Sequence, residues 1–363
     1  MKYSCVLIGS AIGISALATS ASAAPSLNVF GIADVGIGEI QNKDSAGHTL
    51  TVKQERTDGL NSSRIGFNAS QDIGFDGSTV SAWFEAGLAP DSGTQTSTSA
   101  TVSAAKFWNR RTTISLANPT YGELRLGRDF APSFRNLIVF DPYGTNGVGN
   151  VNNMVSALGS GANTIVRVDN SVTYWLPKTL GGVYGELEAA VGEGATSASA
   201  SQTNNKNVGL RLGWSNASFE IAGAYGDTTI DANAKKFDTA QIGAAFKAAN
   251  FRLETLVERN SYLDLSQNLW QAGGTLSLGK NDLRLSYVHS KQSGVTSAGV
   301  STDHDSSNMF ALGWVFNFTP QAAIYSTYAR YDNSGNAAFT PGGLGSTKGG
   351  QSNAGELGVR YSF

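Results

Sequence analysis

Cysteine, histidine, proline and charge are all scarce in this chain of 363 residues. The lone cysteine, Cys5, rules out a disulfide scaffold. Three histidines, His48, His289 and His304, are scattered and form no H-E-x-x-H array, so no zinc or other metal site is expected. Charged side chains make up 15%, against about 25% in an ordinary soluble domain. With 26 basic and 28 acidic groups there is no basic excess to hold nucleic acid. No stretch of the chain after the leader approaches about 18 consecutive apolar residues, so no membrane helix is expected. A G-x-S-x-G elbow is missing, and Gly343–Gly350 lacks P-loop spacing. Asp303-His304-Asp305 sits in a polar loop, and Asp303 and Asp305 belong to no complete Ca²⁺ ligand set. These absences leave no catalytic cluster and no expected cofactor.

Glycine is abundant instead, at 43 positions, well above the roughly 7% of average usage. The chain opens with Met1-Lys2-Tyr3, an apolar run from Cys5 to Ala18, and Ala21-Ser22-Ala23-Ala24. One positive charge, an apolar stretch and an A-x-A site predict a secretory signal peptide over residues 1–23. Cys5 stands at the head of the apolar run instead of after it, which argues against a lipoprotein box, and it leaves with the leader. Residues 24–363 then form one domain without cysteine.

Alternation of period two recurs along that whole domain. Val208, Leu210, Leu212 and Trp214 oppose Asn207 and Arg211; Phe310, Leu312, Trp314 and Phe316 form another apolar parity. About 16 such segments are predicted, from 26–38 at the start to 353–363 at the end. Short turns fall at Gly74–Gly77, Asn118–Thr120, Lys178–Gly181, Asn216, Asn250, Lys280-Asn281 and Thr319-Pro320. Long loops fall at 39–59, 91–105, 130–165, 193–205, 228–237, 261–267, 291–306 and 332–352. Strict alternation of short and long is the plan of a transmembrane antiparallel β-barrel. About 16 strands close a ring too wide for side chains to fill. Tyr121, Tyr174, Trp175, Tyr225, Phe251, Trp270, Phe318, Tyr331 and Tyr361 stand near segment ends, as interfacial girdles require.

The third long loop begins apolar, at Phe134 to Phe140, and shows no convincing regular pattern. Folding into the lumen would bury that stretch and bring Arg135 and Asp141 opposite the wall. Arg64, Arg111, Arg167, Arg211 and Arg252 share the polar parity. Facing lipid at mid-membrane, each would cost about 2–4 kcal/mol, so they are expected to face inward. Arg64, Arg110 or Arg111, Arg128 and Arg167 are the candidates for a pore constriction, opposed by Asp129, Asp141 and Glu85. Rings of charge set ion preference in pores.

Several segments resemble the general diffusion porins of Gram-negative bacteria, of the Neisseria, Bordetella and Burkholderia type. They are Leu27-Asn28-Val29-Phe30-Gly31 at the start and Ser63-Arg64-Ile65-Gly66-Phe67 in the second strand. Asn109-Arg110-Arg111 leads to Tyr121-Gly122-Glu123-Leu124-Arg125-Leu126-Gly127-Arg128. Arg167-Val168-Asp169-Asn170-Ser171 follows, and Val359-Arg360-Tyr361-Ser362-Phe363 ends the chain. Ser115 and Ala117–Pro119 depart from the family's usual Gly-Leu and glycine-containing turn, and the third loop lacks a Pro-Glu-Phe-type acidic motif. The resemblance implies a homotrimer of 16-stranded barrels in the outer membrane, amid lipid and lipopolysaccharide. Each pore would be narrowed by an inward third loop, and the final Phe363 read by the assembly machinery. The expected function is passive diffusion of ions and small hydrophilic solutes, with a mild anion preference. The alternatives are a substrate-specific channel for a sugar or organic anion, in which Trp83, Phe134 and Tyr143 form a sliding surface, or an adhesin or outer-membrane enzyme.

Overall fold

The computed structural model describes residues 24–96, 106–192, 205–230, 235–341 and 348–363. The expected leader, 1–23, lies outside the described residues, as do parts of the loops at 91–105, 193–205, 228–237 and 332–352.

Strands account for most of the rest. The first seven are β1 (Ser26–Lys43), β2 (Thr49–Thr57), β3 (Arg64–Asp72), β4 (Thr79–Ala89), β5 (Thr94–Gln95), β6 (Arg111–Asn118) and β7 (Gly122–Phe130). A long inward excursion separates these from β8 (Arg167–Trp175), β9 (Val183–Ala190), β10 (Lys206–Ser215), β11 (Phe219–Thr229) and β12 (Lys236–Ala248). The ring continues through β13 (Phe251–Tyr262), β14 (Leu265–Leu278), β15 (Asn281–Ser293), β16 (Ser306–Asn317), β17 (Ala322–Ser334) and β18 (Gln351–Ser362).

β1 closes the ring. One edge pairs antiparallel with β18, from Ile32 opposite Ser362 to Lys43 opposite Gln351. Its other edge pairs with β3 up to Ile32 opposite Arg64, then with β2 from Val35 opposite Thr57. β2 and β3 therefore occupy one position in the ring, and β5 is a two-residue ribbon on the end of β4. The result is a closed 16-stranded antiparallel barrel. Closure leaves the ring without an open edge; among the described residues only β2, paired with β1, and the ribbon β5, paired with β4, have a single partner strand.

The two faces are those of a membrane barrel. Leu212 on β10, Ile242 on β12, Val257 on β13, Leu312 on β16 and Val359 on β18 are each more than half exposed. Their polar neighbours Arg211, Gln241, Glu258 and Glu356 are buried inside. Apolar groups outside and charges inside is stable only where the outside is lipid.

Two of the expected long loops are mostly strand. Residues 39–59 complete β1, turn at 44–48 and return as β2. Likewise β13 and β14 run on until only Leu263 and Asp264 separate them. Above the lipid band both parities are polar, so the ladder continues after the period-two signal has stopped. Of the expected girdle, Tyr121, Tyr174, Tyr225, Trp270, Phe318 and Tyr361 are exposed on the outer face. Tyr331 instead is fully buried, its hydroxyl donating to the Val148 carbonyl at 2.5 Å inside the barrel. Trp175 also turns inward, beneath the guanidinium groups of Arg125 and Arg135.

Candidate functional site

The loop between β7 and β8 does fold into the lumen, and it carries a helix that the sequence pattern did not announce. That helix, α1 (Pro132–Phe140), begins on a proline, which is tolerated where an N–H has no helical partner. Phe134, Leu137 and Phe140 at three-residue spacing form its buried stripe. The stripe packs against the inner face of β10 to β13. Glycines make the seat: a Cβ on Gly209 would meet Pro132 at 2.8 Å, one on Gly273 would meet Pro142 at 2.8 Å, and one on Gly243 would overlap the Phe140 ring. Much of the glycine surplus in these strands is thus room for the loop.

Inward polar side chains hold the loop's backbone. Gln271 donates to the Phe140 carbonyl at 3.1 Å, and Gln267 to that of Met154 at 2.8 Å. Glu356 accepts the Val148 amide at 2.9 Å. Arg211 reaches the Asn136 side chain at 3.1 Å and Arg252 the Val139 carbonyl at 3.1 Å. Both arginines face inward as expected, and both anchor the loop. Every such bond removes an otherwise orphaned polar group from a water-poor seam.

A second element meets the loop from the opposite wall. Between β2 and β3, residues 58–63 leave the ladder and bulge inward. Asp34 on β1 holds the bulge by accepting the Leu60 and Asn61 amides at 2.9 and 2.6 Å and the Tyr325 hydroxyl at 2.6 Å. Ser62 then donates to Asn146 of the third loop at 2.8 Å.

Between bulge, loop and wall lies an open space of about 560 Å³. Arg64, Arg110, Arg167 and Arg284 line it, with Asp58 and Asp141 as its acids. Glu85 stands just behind, 2.5 Å from Arg110 and 3.5 Å from Arg64. Arg167 has no ion-pair partner among the described residues, and its Nε is buried without a hydrogen bond. The Nε of Arg284 is in the same condition. Arg284 was not singled out from sequence, although its place between Leu283 and Leu285 puts it on the inward parity.

The remaining candidates, Asp141 apart, sit elsewhere. Asp129 is a hub, 2.6 Å from Arg125, 2.6 Å from Arg135 and 3.7 Å from Arg111. Arg135 also reaches Glu186 at 3.2 Å, so this cluster ties the root of α1 to the wall. Arg128 is turned by a register shift between Gly127 and Asp129 onto Asp169, at 2.6 Å. Asp141 lines the open space, but its carboxylate accepts the amides of Tyr143, Thr145 and Val151 at 3.1, 2.8 and 3.3 Å. Burial nevertheless pushes this loop carboxyl up to about 7, against the three amides that favour its ionised form.

Comparison with known proteins turns this geometry into a family. The sequence profile of the Gram-negative porin family matches residues 10–336. The chain belongs to that family. The porin is 25% identical to outer membrane porin protein 32 of Delftia acidovorans, over 97% of its own length and 98% of that protein's. Its fold matches that of the anion-selective porin from Comamonas acidovorans with a TM-score of 0.79 at 22% identity, over 94% of this chain and all of that one. OmpT of Vibrio cholerae, solved in a trimer form, matches with a TM-score of 0.63 at 12% identity, over 94% of this chain and 100% of that one. The porin is therefore an outer-membrane diffusion channel.

Proposed function

We propose that this porin is an anion-preferring diffusion channel whose constriction is formed by Arg64, Arg110, Arg167 and Arg284. The observation that carries the reading is the imbalance of available charge. Glu85 neutralises part of the Arg64–Arg110 pair, and Asp141 spends its oxygens on its own loop. Arg167 and Arg284 remain as guanidiniums without ion-pair partners among the described residues, so the field in the passage is positive. The sugar-slide alternative keeps only part of its surface: Trp83 lies under the Arg111 guanidinium at 4.4 Å and Tyr143 is 3% exposed, which leaves Phe134 on the passage. Addition to a planar bilayer should give stepwise currents carried mainly by chloride. Currents carried mainly by potassium would refute the assignment.

The same reading gives the porin three equal copies. On the outer face the Glu39–Lys53 pair, 3.3 Å apart, is exposed at the edge of the lipid band. Ions there are costly, and a second copy seated over β1 to β4 would cover them. Phe67, Phe84 and Trp108, with ring centres 5.0–5.6 Å apart, extend that face. Elsewhere the outward Arg259 and Lys291, each opposite Asn268, would meet anionic lipid headgroups and lipopolysaccharide. Residues 1–23 would serve as the cleaved export signal. Phe363, paired with Gly31 through both backbone bonds at 2.9 and 3.0 Å, would be the assembly mark.

A further inference from the structure

The passage has an apolar wall as well as a charged one. Phe130 and Phe134 stack with ring centres 5.3 Å apart, and both line the open space. Ile138 of α1 and Val166 line it too, half-buried. The Arg167 guanidinium lies 4.2 Å above the Phe130 ring. That arginine is 6% exposed, and its Nε has no hydrogen-bond partner among the described residues. A chloride ion would use the charge alone, and apolar side chains on a water-filled passage are left unsatisfied by it. Their placement beside a guanidinium without an ion-pair partner among the described residues fits one kind of solute better. Its carboxylate would meet Arg167, and its apolar body would displace water from Phe130 and Ile138. A space of about 560 Å³ admits a single ring.

We infer that the constriction holds a subsite for carboxylates carried on an aromatic or branched apolar body, with Arg167 gripping the carboxylate and Phe130 and Ile138 the body. The inference rests on the anion-conducting reading above and adds a preference among anions. Asp58 and Asp141 border the same space and set its limit. Asp58 accepts the Ser63 amide at 2.6 Å, and Asp141 accepts three amides of its own loop.

The test is block of chloride current through the full-length porin in a planar bilayer. Benzoate is the probe, formate has the charge without the body, and benzyl alcohol the body without the charge. Benzoate should reduce the current saturably, with half-block at a concentration about tenfold or more below that for formate; benzyl alcohol should have little effect. Arg167→Gln should weaken benzoate block about tenfold. Ile138→Ser, on the pore side of α1, should weaken benzoate block while leaving formate unchanged, and it serves if the arginine variant does not assemble. Equal half-block by benzoate and formate, or no block in a channel that still carries chloride, overturns the subsite and leaves the anion channel standing. Loss of all chloride current in the unmodified protein would overturn both.

Discussion

The amide of Gly147 donates to the carbonyl of Asp58 at 3.0 Å, joining the inward loop to the bulge that interrupts the second strand position. The joint is tight. Gly147 has φ +71, and a Cβ there would collide with the Gly59 carbonyl and the Glu356 carboxylate. Gly147→Ala should therefore cost about 1–3 kcal/mol, because it adds backbone strain to a steric clash. A lower unfolding temperature in detergent and a larger, noisier single-channel conductance are expected together. Unchanged conductance would mean that the bulge and loop do not narrow the pore jointly.

The glycine seat makes a second prediction. Gly243→Val would place a branched side chain where the Phe140 ring now lies. Overpacking of this kind costs about 1–3 kcal/mol. Since the barrel wall is held by its own ladder, the loop should yield first. Protease nicking within 131–166 should rise while the barrel stays folded.

Asp129 gathers three guanidiniums, and removing it takes away their shared partner, leaving Arg125 only Glu123 and Arg135 only Glu186. Asp129→Asn should cost about 3 kcal/mol, the usual scale for leaving buried charges uncompensated. Arg111→Gln, whose nitrogen is 3.7 Å from the hub, should cost far less. Heat unfolding of the two variants in the same detergent checks the order.

Asp141 gives the loop a pH dependence. Its folded pKa, about 7, lies above the ordinary value of 3.8. Between these values the folded protein holds one more proton than the unfolded chain, so stability falls as pH rises from about 4 to 7. Below that window both states are protonated, and above it both are ionised, so the slope vanishes at each end. The slope contributed by one proton is at most about 1.4 kcal/mol per pH unit. Asp141→Asn should remove it, as read from unfolding midpoints at pH 5, 6, 7 and 8.

The barrel was legible in the sequence because lipid outside and water inside impose period two on every strand. Where lipid ends, as beyond Ile40 on β1 or beyond Arg259 on β13, both faces are polar, and strands read as loops. α1 was missed for another reason: a single nine-residue helix inside a loop offers only Phe134, Leu137 and Phe140 as its stripe. Parity was enough to turn Arg64, Arg167, Arg211 and Arg252 inward. It carries no information about partners, however, and partners divide the anchors Arg211 and Arg252 from Arg167, which has no ion-pair partner among the described residues. Asp129, Arg111 and Arg135 likewise meet each other near the wall through folding of the loop, a contact that no local pattern encodes.

The sign of the charge in the passage decides which ions this porin carries. The reversal potential of the porin in a planar bilayer across a KCl gradient reads that sign. We expect it to lie toward the chloride equilibrium potential, and to move toward zero when Arg167→Gln and Arg284→Gln are combined. A reversal potential toward that of potassium, or one unchanged by the double substitution, would contradict it.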